Sequence, residues 1–557
     1  MGTPIGAAQA PVAPSIEQLR RPGDTPLIAP EPRPAPKPPG IAIPPPAATP
    51  SSPTLSQGGR VQARAFRFVG NTVVPDADLQ AIAAPFVGLQ IGIAELDDLR
   101  VRLTRRYVDA GYINSGAVIP DQDIGGGLIT FEIVEGRLTE IVVGGDNRFR
   151  AGYLRDRLAL GAGPVLNISQ LQERMQLMLQ DPQISRVAAE LAPGIQRGEA
   201  ALRADVTGAP AFIAGATLSN ERSPAVGADQ TDLFFGTRNL LGLGEAFTLR
   251  AAGTSGLRDY AASYTVPINA IGTTMHFRHQ RTYSRVVEAP FNQLDIGARS
   301  TSTELGIAHP LIERPQRTLV ATALLAHRST QALFLGQPSP FVPGVPDGHT
   351  TVGAFRVGLD WVDRTPDRVF AGRAIVSHGL SAFGATVGDG FPDSRFTTLL
   401  IQAQWVQRAF GGTGQWLLRA EGQFADSPLL GSEKYSIGGI DSVRGYRKDV
   451  MVRDTGWFGS VEYRHTVGHL SLRPGAEPGE GPIRLAIFAD MGQARDRAGT
   501  NPSPSYLASV GPGARWEPLP GLEVQAYRGV ALKDIRTATR TSQDRGLHLR
   551  VVFARLF

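Results

Sequence analysis

The feature that most constrains this chain is a period-two alternation that runs for more than half its length. From Phe212 to Phe557, apolar and polar residues alternate in runs of roughly 9–13 residues, joined mostly by short glycine-rich turns. Phe355, Val357, Leu359 and Trp361 alternate with Arg356, Gly358 and Asp360. Leu399, Ile401, Ala403 and Trp405 alternate with Leu400, Gln402 and Gln404, and Trp416, Leu418, Ala420 and Phe424 with Arg419, Glu421 and Gln423. No stretch approaches the ~20 continuous apolar residues of a membrane-spanning helix. Strands with one apolar and one charged face suit an antiparallel barrel that is lipid-facing outside and wet inside. A soluble β-sandwich also alternates, but it needs fewer strands and fewer charges facing its interior. About sixteen runs fit between 212 and 557, on the order of 20 residues for each strand and its connection.

The region before the barrel has a different period. Residues 1–60 hold 16 prolines, many in Pro30-Glu-Pro-Arg-Pro-Ala-Pro-Lys-Pro-Pro39, and read as an extended linker. Ser15–Arg21 has room for a short helix, too short to plug a pore, so a tether is the preferred reading. From 61 to 210 the pattern is strand, two helices, two strands, then the same again. Strand Val61–Val69 is followed by helices near Pro75–Ala84 and Ile93–Ala110 and strands Ser115–Pro120 and Leu128–Val134. Strand Thr139–Val143 is followed by helices Tyr153–Leu160 and Ile168–Leu179 and strands Ser185–Leu191 and Glu199–Thr207. The domains expected are therefore 1–60, 61–136, 137–210 and 211–557. The turns Gly70-Asn71 and Gly145-Asp-Asn147 read as turn formers rather than contacts to a substrate.

Composition narrows the chemistry. There is no cysteine, hence no disulfide and no thiolate metal site. The net charge of +5 is spread without a basic block, which gives nucleic-acid binding little support. Gly253-Thr-Ser-Gly256 lacks the spacing of a nucleophile elbow. His276 and His279 lie three apart on a strand and face opposite ways. His465 and His469 share a face but have no third ligand nearby. No catalytic residue, metal or cofactor is expected, and the chain reads as a non-enzyme. Met1-Gly-Thr-Pro precedes no apolar run. Gly6-Ala-Ala-Gln-Ala10 resembles the scar of a removed signal peptide, which the precursor is expected to carry.

The most informative short motif is Gly438-Gly-Ile-Asp-Ser-Val-Arg-Gly-Tyr446, with Phe488-Ala-Asp490-Met-Gly492 downstream. Five strand-like runs follow the first, so it falls on a loop, about 427–456, between strands eleven and twelve. By parity Asp490 faces the lumen with Arg484, Ala486 and Phe488. An arginine buried at the loop tip needs such a carboxylate. Glu462, inward with Ser460 and Arg464, is a second partner for Arg444. Gly445 allows a sharp turn, and Tyr446 can pack while its hydroxyl bonds. The competing reading leaves Arg444 as a solvated loop residue.

Val443-Arg-Gly-Tyr446 resembles the sixth-loop signature of outer-membrane polypeptide-transport barrels, and Phe488-Ala-Asp490-Met-Gly492 the strand-thirteen motif that holds it. Asn239-Leu-Leu-Gly-Leu-Gly-Glu245, Tyr264-Thr-Val-Pro-Ile268 and Asp454-Thr-Gly-Trp457 with Glu462 are similar to two-partner secretion transporters (TpsB type, ShlB/FhaC-like). The resemblance covers roughly 61–557. It implies two α+β POTRA domains in the periplasm, then a 16-stranded antiparallel transmembrane β-barrel in a Gram-negative outer membrane. It implies export, without ATP, of a TpsA-type exoprotein recognised through its N-terminal secretion domain. The other partners implied are outer-membrane lipid and lipopolysaccharide, and the barrel-assembly machinery during insertion, with the chain working as a monomer. Substrate-binding residues are not assigned. The alternatives are an assembly or translocation-module factor of the same superfamily, or a passive porin or receptor channel.

Overall fold

The computed structural model describes residues 27, 30–32, 41–42 and 60–557, apart from 342–344, 346, 389–391, 536 and 538. The helix expected at 15–21 lies outside the described residues. Chain contacts separate two compact units, Pro36–Ala209 and a second that contains Pro210–Phe557.

The first unit holds two α+β repeats. In the first, strand Ala65–Val69 runs parallel to Leu128–Val134, which pairs antiparallel with Gly116–Val118. Helices Asp76–Ala83 and Ile93–Asp109 accompany that sheet. The 3/4 spacing of Leu96, Leu99, Leu103 and Tyr107 is fulfilled, since all four are buried against Phe66, Ile129 and Phe131. The second repeat has strand Arg137–Gly144, helices Ala151–Ala159 and Ile168–Leu179, and strands Ile184–Pro193 and Glu199–Gly208. Here again the first strand is parallel to the last and the last two are antiparallel. The turn after each first strand needs its glycine. Gly70 has φ +94° and Gly145 φ +96°, and a Cβ there would sit 2.5 Å from the Ile133 carbonyl oxygen and 2.4 Å from that of Val206.

Two details differ from the sequence pattern. The strand expected over 61–69 breaks after Gln62, where Val61–Gln62 pairs with Gln90–Ile91 while the Arg64 N–H turns to the Gly127 carbonyl. Within the proline-rich extension, Ile41–Ala42 forms a short strand parallel to Ile184–Pro193, with Ile41 opposite Ala189.

The second unit is a closed barrel of sixteen antiparallel strands. In order these are Phe212–Ser219, Gln230–Arg238, Ala246–Gly253, Leu257–Pro267, Thr274–Arg285, Gly297–Glu313, Arg317–Phe334 and His349–Arg364. Then follow Arg368–Leu380, Thr397–Ala409, Gly414–Ala425, Thr455–His469, Pro482–Arg495, Tyr506–Leu519, Leu522–Arg528 extended by Val530–Ala531, and Leu547–Leu556. Strand sixteen closes on strand one, with Ile213 opposite Leu556. Alternation sets the two faces, as the runs predicted. Phe355, Val357, Leu359, Ile401 and Leu418 are exposed on the outer wall, whereas Arg356, Arg373, Gln402 and Glu421 are buried within the barrel. One end carries mostly short turns and the other the long connections, which marks the latter as the extracellular end. A register shift between Thr466 and Gly468 interrupts the parity that His465 and His469 would share.

Candidate functional site: the loop held inside the barrel

Between strands eleven and twelve, residues 426–454 fold back into the lumen. A two-stranded ribbon, Tyr435–Ile437 against Met451–Arg453, stiffens the base of this loop. Gly438 and Gly439 follow with φ of +116° and +89°, a reversal that side-chain-bearing residues rarely make. Val443, Tyr446, Tyr435, Ile437 and Met451 pack with Phe458 and Leu507 of the wall in one apolar cluster. The ribbon and this cluster position the tip.

At the tip Arg444 is 2% exposed and ranks first by volume among the fully buried side chains. Its Nε and Nη2 donate to the two Asp490 carboxylate oxygens, each at 2.7 Å, in the bidentate geometry that matches a guanidinium fork. Its backbone N–H donates to the same carboxylate at 3.0 Å. Nη1 donates to Glu462, and Nη2 also reaches the Ser460 hydroxyl at 3.0 Å. The guanidinium lies 3.7 Å from the Phe488 ring centroid, a cation–π contact. Glu462 is itself held by Arg464 Nε at 2.5 Å and by the Tyr527 hydroxyl at 2.9 Å. Arg444 thus bridges two carboxylates, one of which it shares with Arg464. Burial alone would lower the Arg444 pKa, but Asp490 and Glu462 outweigh it and raise the pKa above the ordinary arginine value.

The neighbouring motif residues explain how closely the loop meets the wall. Gly445 has φ +87°, and a Cβ there would lie 2.9–3.1 Å from the Gly529 backbone. Its N–H donates to His548 Nε2 at 3.2 Å. The Tyr446 hydroxyl donates to the carbonyl of Ala508 at 2.9 Å and accepts from the Lys533 N–H at 3.1 Å. Gly492 fits because a Cβ would stand 3.2 Å from Ile437 Cγ2 of the loop and 3.0 Å from Phe458 Cβ. All seven residues singled out around the tip (Val443, Arg444, Gly445, Tyr446, Glu462, Phe488 and Asp490) gather there, with Gly492 under the ribbon.

Two further anchors were not visible in the sequence pattern. Arg356 on strand eight donates from Nη2 to both Glu433 oxygens, at 3.0 and 2.9 Å, with both side chains buried. On the extracellular side Arg447 clasps Asp544 through Nε at 2.5 Å and Nη2 at 2.7 Å, and reaches Glu288 at 2.7 Å. Glu288 lies between strands five and six and Asp544 between fifteen and sixteen, so one guanidinium ties the loop to two other extracellular connections. Inward parity singled out Arg356, but nothing local marked Glu433 as its loop-borne counterpart, or Glu288 and Asp544 as the partners of Arg447.

A model of the family described as haemolysin secretion/activation protein ShlB/FhaC/HecB matches residues 198–516. The chain belongs to that family. It is therefore an outer-membrane transporter of two-partner secretion. A ShlB-type POTRA domain matches residues 61–136, the first repeat. Among relatives, the outer membrane transporter CdiB of Dickeya dadantii (strain 3937) is 21% identical over 402 residues, 70% of each chain. The hemolysin transporter protein ShlB of Serratia marcescens is 24% identical over 454 residues, 78% of each chain. The solved structure of CdiB from Escherichia coli has the same fold, with a TM-score of 0.68 at 20% identity, covering 91% of this chain and 93% of that one.

Proposed function

We propose that this transporter exports one partner exoprotein, bound in the periplasm by its α+β modules and released outward through the barrel once the loop latch shifts. The observation that carries the latch is the tip itself: a bidentate, fully buried Arg444–Asp490 pair on a loop that occupies the lumen. Such a pair is a two-state device. Held, it fixes the loop; broken, it leaves buried charge, so the loop must move as a unit to water or to new partners.

The second repeat, 137–210, acts as a second POTRA domain. Strand Arg137–Gly144 pairs on one side only among the described residues, which leaves backbone groups for an unfolded partner strand to add by β-augmentation. Those bonds are largely independent of sequence. Folding of the partner outside then draws the chain through without ATP. The barrel works as a monomer in lipid and lipopolysaccharide after insertion by the assembly machinery. Co-expression with a neighbouring gene for a large secreted β-rich protein tests the reading. That protein should appear in the medium when this chain is present, and its retention in the periplasm would contradict export.

A further inference from the structure

Several lumenal arginines of this barrel pair with carboxylates: Arg250 with Asp232 and Asp259, Arg373 with Asp360, Arg356 with Glu433. The outer wall of strands four to six breaks that habit. Arg258, Arg281 and Arg299 are exposed there, on the outward parity of Tyr260, Phe277 and Leu305, and none has a carboxylate partner among the described residues. Register makes them one patch. Arg258 stands opposite Tyr283, and Tyr283 opposite Arg299; one row lower, Tyr260 stands opposite Arg281, and Arg281 opposite Thr301. Arg285, at the end of strand five, adds a fourth cation, with Asp295 at 4.0 Å.

Height decides what this patch meets. With strands tilted about 40°, a pairing row climbs by roughly 3 Å for each strand crossed. Carried from strand five to strand twelve, that slope brings Arg258 and Arg281 level with outward-facing Phe424 and Trp457. On strands eleven and twelve those apolar side chains mark the upper edge of the lipid-facing band. At that height a guanidinium facing lipid is costly unless an anion meets it. The patch also combines planar donors with tyrosines, which suits phosphate rather than a diffuse negative surface.

We propose that Arg258, Arg281 and Arg299, flanked by Tyr260 and Tyr283, form a binding site for the phosphates of lipid A in the outer leaflet. The inference rests on the outer-membrane placement and does not depend on what the pore exports. Bound there, a lipid A molecule seals the side of the barrel under the loop between strands five and six, which carries Glu288 of the Arg447 clamp.

The test is titration of the detergent-purified full chain by native mass spectrometry, with three probes: Kdo2-lipid A, its dephosphorylated form, and phosphatidylglycerol. The expected result is retention of Kdo2-lipid A, with binding roughly tenfold or more weaker for the R258Q/R281Q/R299Q variant. The dephosphorylated probe should bind the unaltered protein as weakly as the phosphorylated probe binds the variant. Equal binding of all three lipids overturns the site, and so does undiminished Kdo2-lipid A binding by a variant that still shows the heat-modifiable mobility of a closed barrel. The dephosphorylated probe decides on unaltered protein, whatever the variant's folding. Export of the partner is a separate readout, so its failure would count against the transport reading and not against this site.

Discussion

Two arginines of the loop, Arg444 and Arg447, are held by different physics. Arg444 is sealed among two carboxylates, a serine and two aromatic rings, with side-chain exposures of 2% or less for itself, Asp490 and Glu462. Arg447 grips Asp544 and Glu288 near the extracellular rim, where all three side chains remain 13–17% exposed. Loss of a buried partner strands its counter-charges away from water, whereas loss of a rim partner lets water replace it. The tip is therefore built to be all-or-none, and the rim clamp to be adjustable.

The largest effect is expected for Arg444→Ala. The closed loop should lose about 3–5 kcal/mol, the usual cost of leaving buried charge unpaired. Hydrogen exchange of residues 438–448 should rise accordingly, while heat-modifiable mobility shows the barrel still closed. Arg356→Ala should come next, about 2–4 kcal/mol, because Glu433 is equally buried but its backbone stays tied by Gln423. If Arg356→Ala proves as mild as a rim substitution, burial is not what separates the two classes.

Legibility in the sequence divided along similar lines. Parity along strand thirteen was enough to aim Asp490 inward, and helical spacing was enough to bury Leu96, Leu99, Leu103 and Tyr107. A period exists only within an element, so nothing pointed Arg447 at Asp544, nearly a hundred residues away on another loop. Nor could a two-residue strand at Ile41–Ala42 show itself among prolines. Its partner lies some 150 residues later, and two residues carry no alternation.

Arg447→Ala should cost the loop about 1–2 kcal/mol, read as a modest rise in protease sensitivity around residues 440–450. The sharper contrast is with pH. Burial pushes the Asp544 carboxyl up, but its bonds to Arg447 and Thr541 outweigh that and leave its pKa below the ordinary aspartate value. A depressed pKa contributes stability that is present above the unfolded value of about 3.9 and is lost as pH falls through the folded value. The rim clamp should accordingly hold at neutral pH and loosen in acid below about pH 4, followed by fluorescence of a label at residue 449. In Arg447→Ala that acid step should shrink. An unchanged step would mean that Asp544 is not what holds the loop.

Export decides whether the tip is a latch or merely a fastening. The direct measurement is the amount of partner exoprotein in the medium for cells carrying Arg444→Ala beside cells carrying Arg447→Ala, at matched levels of folded barrel. A latch requires severe loss for the first and a partial change for the second. Normal export by Arg444→Ala would contradict it.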